Sequence, residues 1–128
     1  MALSKRKEDE PCKSYLLCKS FTARRKECVH LKSKYPDRAP FVIKRHLNSK
    51  NIADLEQSRF MLLKDQPMGM VIKLVRERLS LSPKDSLYFF VKDGVVLSAS
   101  MTVAEVYQLY TDEDGFAYLT YATQETFG

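Results

Sequence analysis

The sequence predicts one α+β domain, and three observations carry that prediction. Segments with helical apolar spacing alternate with short β-branched or aromatic runs of strand length. Their order is helix, strand, strand, helix, strand with hairpin, helix, strand, uninterrupted by a repeat or a low-complexity tract. A chain of 128 residues with 45% hydrophobic side chains fills one ordinary core and not two.

Residues 1–13 are polar, with Lys5-Arg6-Lys7 followed at once by Glu8-Asp9-Glu10, and predict a flexible N-terminal tail. A short helix is expected at 14–18. From Ser20, a natural N-cap, Phe21, Cys28, Leu31 and Tyr35 fall on one helical stripe and most Lys and Arg on the other. Pro36 and Pro40 enclose a turn, after which Phe41 to His46 reads as a strand. Phe60-Met61-Leu62-Leu63 is short enough to favour strand over helix.

Met68, Val71, Ile72, Val75 and Leu79 recur at helical spacing, which predicts a helix from about Pro67 to Ser80. Ser82-Pro83-Lys84-Asp85 has the chemistry to start one further helical turn. Leu87 to Val91 is a strand, and Asp93-Gly94 before Val95-Val96-Leu97 signals a hairpin. Thr102 and Glu105 fit a capping box ahead of the apolar face Val103, Val106, Tyr107 and Tyr110. Phe116 to Ala122 completes the set as a strand.

Composition excludes several classes. No apolar run approaches the ~18 residues of a membrane span, and the charged N-terminus lacks a secretory core, so cytosol or nucleus is the expected location. Cys12, Cys18 and Cys28 match neither a disulfide framework nor a zinc site and read as free thiols. Residues 1–50 carry 14 Lys and Arg against 5 Asp and Glu, while residues 51–128 carry 7 against 11, giving the net +5. A basic front half suits an acidic partner such as nucleic acid, anionic lipid or acidic peptide.

Three segments read as more than periodicity: Lys34-Tyr35-Pro36-Asp37-Arg38-Ala39-Pro40, Arg59-Phe60-Met61-Leu62, and Asp112-Glu113-Asp114-Gly115-Phe116 with Tyr121-Ala122-Thr123-Gln124-Glu125-Thr126-Phe127-Gly128. Together they resemble the autophagy-related ubiquitin-like modifiers, the family of the microtubule-associated-protein light chains and GABARAP, from about Tyr15 to Gly128. The resemblance implies a ubiquitin-like β-grasp with a mixed four-stranded sheet and two additional N-terminal helices. It divides the chain into the tail 1–13, the domain 14–124 and a flexible conjugation tail 125–128.

It further implies no catalytic residue, metal or cofactor, but covalent attachment of Gly128 to phosphatidylethanolamine, with Phe127 as an apolar handle for the enzymes. A terminal glycine suits that chemistry because, without Cβ, its carbonyl is open to a thiolate and then an amine. Burying acyl carbons contributes about 0.8 kcal/mol per CH2, so a two-chain lipid anchors where one short chain binds marginally. The implied partners are activating, conjugating and processing enzymes, the autophagosomal membrane, and cargo receptors and adaptors bearing short aromatic-x-x-aliphatic motifs.

Carried over by position, the aromatic pocket comprises Glu27, Leu31, Pro40, Val42, Arg59, Met61 and Phe116. The aliphatic pocket comprises Phe60, Leu62, Leu63, Val71, Leu74, Val75 and Arg78, and acidic residues flanking the motif are expected to meet Arg38 and Lys64. The chain departs from the family where Leu63 replaces a proline and where Leu16-Leu17-Cys18-Lys19 replaces a more basic stretch, which weakens an expectation of microtubule binding.

Two rival classes remain at the level of sequence. A cysteine enzyme with Cys28 as nucleophile and His30 or His46 as base is disfavoured, since positions two apart on a helix do not face each other. A microtubule- or RNA-binding module rests on the basic half but lacks a groove-reading motif and interleaved aromatics, so no nucleic-acid partner is expected.

Overall fold

The computed structural model describes residues 19–91 and 94–123. The expected helix at 14–18, both tails, Cys12, Cys18, Asp93, Phe127 and Gly128 lie outside these residues. The elements are α1 (Phe21–Lys34), β1 (Arg38–Arg45), β2 (Arg59–Leu63), α2 (Met68–Leu79), β3 (Leu87–Val91), β4 (Val95–Val96), α3 (Val103–Tyr110) and β5 (Ala117–Thr123).

Each helix starts and stops where its sequence says. Ser20 Oγ accepts the Ala23 N–H of α1 at 3.1 Å, and Lys32 and Lys34 complement the dipole in its last turn. At α3 the capping box is closed at both bonds, Glu105 N to Thr102 Oγ1 at 3.1 Å and Thr102 N to Glu105 Oε1 at 2.9 Å. α2 ends on Ser80 in the left-handed region, φ 54°.

The sheet has the order β2-β1-β5-β3-β4. β1 and β5 run parallel at its centre, and the β1–β2, β3–β5 and β3–β4 pairs are antiparallel. The expected four strands are therefore five. Gly94, at φ 81°, turns the chain back so that Val95 and Val96 pair with Val91 and Phe90, adding a two-residue edge strand. Residues 82–85 form a hydrogen-bonded turn, Asp85 N to Ser82 O at 3.0 Å, and not the helical turn expected. Arg76 draws this turn onto α2 by donating to the carbonyls of Ser82 and Asp85.

Strand alternation sends side chains to two faces. Ala39, Phe41 and Ile43 of β1, Phe60 and Leu62 of β2, Leu87, Phe89 and Val91 of β3, and Leu119 and Tyr121 of β5 join Met68, Val71, Val75, Val103 and Val106 in the main core beneath α2 and α3. On the other face a smaller cluster of Cys28, Val42 and Phe116, with Leu31 and Tyr118 against it, lies under α1. Of the expected α1 stripe only Cys28 is fully buried. Leu31 is half-buried, whereas Phe21 and Tyr35 keep 42% and 37% of their surface, because the shallow cluster leaves the ends of the helix uncovered.

Candidate functional site

β2 is an edge strand, bonded on one side only. The bonds Ile43 N to Ser58 O at 2.8 Å and Lys64 N to Asp37 O at 3.1 Å fix which pairs exchange hydrogen bonds with β1. By alternation these are Phe41 with Phe60 and Ala39 with Leu62, so the backbone groups of Arg59, Met61 and Leu63 face the open edge. Pro40 stands opposite Met61 at a non-bonded pair, and β5 pairing begins only at Phe41, so its missing N–H costs no ladder bond.

Three side-chain and turn groups already attend this edge. Arg38 Nη1 donates to Met61 O at 3.1 Å, Gln57 Nε2 to Arg59 O at 2.6 Å and Gln66 N to Leu63 O at 3.2 Å. The far end of the strand is held by Val103 N to Gln66 O and Ala104 N to Lys64 O, 2.8 and 2.9 Å, which tie it to the start of α3.

Against this edge, between the C-terminal half of α1 and β2, runs an open groove of about 870 Å³. Leu31, Tyr35, Phe60, Met61 and Phe116 contribute its apolar surface, with Val42 packed beneath Phe116. Glu27 and Arg59 form an ion pair at its side, and Lys19 Nζ adds a second contact to Glu27 at 2.9 Å. Leu31, Arg59, Met61 and Phe116 of the expected aromatic pocket thus line one groove, with Val42 and Pro40 buried on the same strand face and Glu27 at its edge.

Of the second expected set, Phe60 and Leu62 turn their side chains to the opposite face of β2, Phe60 also lining the groove, while Leu63 shares the face of Arg59 and Met61. Phe60, Leu62, Val71 and Val75 are members of the main core, and Leu74 packs partly against them. Arg78 covers the Phe60 ring, its guanidinium 5.8 Å from the ring centre, while Leu63 and Lys64 are exposed at the strand end.

A buried carboxylate holds the groove floor in place. Asp114, 1% exposed, accepts Phe116 N at 2.9 Å, Arg24 Nε at 2.8 Å and the Tyr118 hydroxyl. The same turn carries Gly115 at φ 97°, where a Cβ would stand 2.4 Å from Cys28 Sγ. Together these seat α1 on the start of β5. Burial, then the bond to Asp114, pushes the Tyr118 phenol well up. Burial also pushes the Cys28 thiol up, opposite to the shift an activated nucleophile requires.

Sequence reasoning did not find Tyr35, Asp37, Glu56, Gln57 or Ser58, which also line the groove. The last three belong to an irregular loop with no periodic signal. Nor did it find the Asp114 lock, whose one trace in the sequence is an acidic residue two positions before the Phe116 run, the spacing of an Asx turn. Among the described residues no helix is long and apolar enough to cross a membrane, and no group of His, Cys, Asp and Glu is arranged to hold a metal ion.

Comparison with known proteins gives one consistent picture. A family model described as "Autophagy protein Atg8 ubiquitin like" matches residues 23–128. Human microtubule-associated protein 1 light chain 3 gamma is 34% identical over 110 residues, covering 86% of this chain and 75% of its own. Autophagy-related protein 8d of Arabidopsis thaliana is 31% identical over 128 residues, covering 100% of this chain and 98% of its own. The crystal structure of Trypanosoma brucei ATG8 superposes with a TM-score of 0.83 at 30% identity, over 90% of this chain and 97% of that one.

Proposed function

This chain belongs to the Atg8 family of ubiquitin-like autophagy proteins, and from that premise we propose that it acts as a lipid-conjugated modifier that docks short peptide motifs on the β2 edge. The observation that carries the docking half is the pairing of an open strand edge with an apolar groove beside it. A peptide adding as a strand takes its register from the backbone groups of Arg59, Met61 and Leu63 and its selectivity from the groove. To do so it must displace Arg38 and Gln57 from their carbonyls, which exchanges one set of hydrogen bonds for another.

The aromatic residue of the motif enters between Leu31, Met61 and Phe116. The aliphatic residue lies toward Leu63 and the Phe60, Leu62, Val71, Leu74, Val75 and Arg78 side, where a rearrangement of Arg78 uncovers the Phe60 ring. Filling each subsite contributes about 1.5–3 kcal/mol before ordering costs, consistent with micromolar binding. Acidic residues upstream of the motif meet Arg38, Arg59, Lys64 and the basic α1, raising association rate more than affinity.

The conjugation half is carried by the Thr126-Phe127-Gly128 end within the family match. Attachment of Gly128 to phosphatidylethanolamine gives a membrane-bound form on autophagosomes and a cytoplasmic unconjugated form. Cargo receptors and adaptors, together with the activating, conjugating and processing enzymes, are the partners this role requires. No cofactor enters the scheme. One relative is named as microtubule-associated; on this chain the exposed Lys26 and Lys34 of α1 offer the cationic face that an acidic tubulin tail would meet.

Both halves are tested in one reconstitution. Activating and conjugating enzymes, ATP and phosphatidylethanolamine liposomes should add one lipid mass at Gly128 and none to Gly128→Ala; modification of Gly128→Ala would refute the attachment. Met61→Ala should weaken an aromatic-x-x-aliphatic peptide about tenfold, the loss of part of one filled subsite. Unchanged affinity in a titration would remove the groove from the docking surface.

A further inference from the structure

The turn that follows β1 holds a leucine out in water. Ser49 N donates to His46 O at 3.0 Å, which closes a four-residue turn with Leu47 and Asn48 at its centre. Leu47 keeps 86% of its surface, more than any other large hydrophobic side chain among the described residues. A lone exposed leucine is ordinary on a protein surface. This one differs in how it is held and in what leaves the fold beside it.

The turn is tied down on several sides. His46 N donates to Tyr121 O at 2.9 Å, Asn48 N to His46 Nδ1 at 3.0 Å, and Arg45 Nη1 to Ser49 O at 2.8 Å while its Nε holds Asp54. The His46 ring leans on Phe90 with the ring centres 6.1 Å apart. Ser49 Oγ accepts Thr123 N at 3.2 Å, and both residues are buried. With Ser49 locked inward, the turn presents Leu47 to solvent at a set position.

Thr123 ends β5, and the chain runs on from it to Gly128. Five extended residues span at most about 18 Å, so a lipid on Gly128 brings its bilayer within that distance of Thr123. The turn bonded to Thr123 through Ser49 lies inside this radius. On the other side of Thr123, where it pairs with Leu87, the preceding segment carries Lys84 and Asp85 and no large apolar side chain. Leu47, followed by the exposed Lys50, is the apolar point at this end of the sheet.

We propose that the turn of residues 46–49 is a membrane-contact element: once Gly128 carries its lipid, Leu47 enters the interfacial region of the same bilayer and Lys50 lies against its phosphates. This rests on the attachment reading given above. One leucine and one lysine bind a membrane too weakly to hold a free chain, but the short tether raises their effective concentration at the surface. The contact also orients the protein. β1 runs from Arg38 to Arg45, so Arg38 and its partner Leu63 stand at the end of the sheet turned away from the bilayer, where a peptide reaches the groove unobstructed.

The chain has no tryptophan, so Leu47→Trp places a single fluorescent reporter on the turn. Leu109→Trp is the control: Leu109 is 65% exposed on α3, near the bridge from Thr111 to Ala117 at the start of β5. That start lies about 20 Å along the strand from Thr123. Each full-length variant is incubated with the activating and conjugating enzymes, ATP and phosphatidylethanolamine liposomes, and mass spectrometry verifies the lipid on Gly128. On attachment the Leu47→Trp emission should move to the blue by roughly 10 nm as the indole enters the interface, and bromine-labelled acyl chains should quench it. Leu109→Trp should do neither, and Leu47→Trp mixed with the same liposomes without ATP should stay unshifted. An attached Leu47→Trp chain with unchanged emission, an equal shift in the Leu109→Trp chain, or an equal shift without ATP overturns the proposal and leaves attachment standing. If neither the variants nor the unsubstituted chain gain the lipid mass, the attachment reading falls and takes the inference with it.

Discussion

The two faces of the sheet are built to different standards. Beneath α2 and α3, 17 buried hydrophobic residues among those described form one continuous core. Beneath α1 there are 3, and the helix is held in place by a buried carboxylate, a glycine contact and a flanking ion pair. The thick face supplies stability through area removed from water. The thin face cannot close over its whole length, and the part left open is the groove. β2 belongs to both: Phe60 and Leu62 face the core while Arg59 and Met61 face the groove, so one strand serves packing and recognition through alternate side chains.

This contrast is sharpened most by truncating a ring on the thick face. Phe89→Ala, in the main core at 1% exposure, should cost about 3–5 kcal/mol of unfolding free energy in a urea titration. Met61→Ala on the groove side should cost a small fraction of that while carrying the loss in peptide binding. Equal losses would mean that the two faces are one core.

Gly115→Ala comes next, because it places a Cβ into Cys28 Sγ at a backbone angle that L residues avoid. A loss of about 1–3 kcal/mol is expected. Combining it with Cys28→Ala should recover the steric part and leave the backbone part. Full recovery would show that the positive φ is not required.

The smallest effect separates two tyrosines. Tyr121, on the thick face, is pushed up to about 12 by burial and by the nearby Asp54, and Tyr118, on the thin face, is also raised. In both, folding favours the protonated phenol, so the unfolded chain, whose tyrosines ionise near pH ~10, releases protons first. Their contribution is complete below about pH 10 and is lost as the pH climbs from there through the folded value. Tyr121→Phe should flatten this alkaline decline in denaturation midpoints measured from pH 9 upward; an unchanged slope would assign the decline to other groups.

Much of this architecture is legible in the residues themselves. Ser20, Thr102 with Glu105, and the Met68 to Leu79 spacing set the helices to within a residue or two, because caps and periodicity are local. The short Phe60 run was readable as a strand from its length. The fifth strand was less so, since two residues of pairing depend on where Gly94 returns the chain. At the site, the apolar residues of the groove were legible through the resemblance of whole segments. Tyr35, Asp37 and Glu56 were not, as they come from a helix end, a turn and a loop that meet only in three dimensions.

The sequence by itself determined the class of the fold, the element order and the family, all of which follow from short-range patterns. Tertiary structure alone decided that α1 sits on a thin second layer, that Asp114 anchors the floor at Phe116, and that Asp37 and Glu56, without an ion-pair partner among the described residues, rim the groove. The physical reason is that caps and periodicities are energies of neighbours along the chain. A groove and its charge are sums over residues that only folding brings within reach of one another.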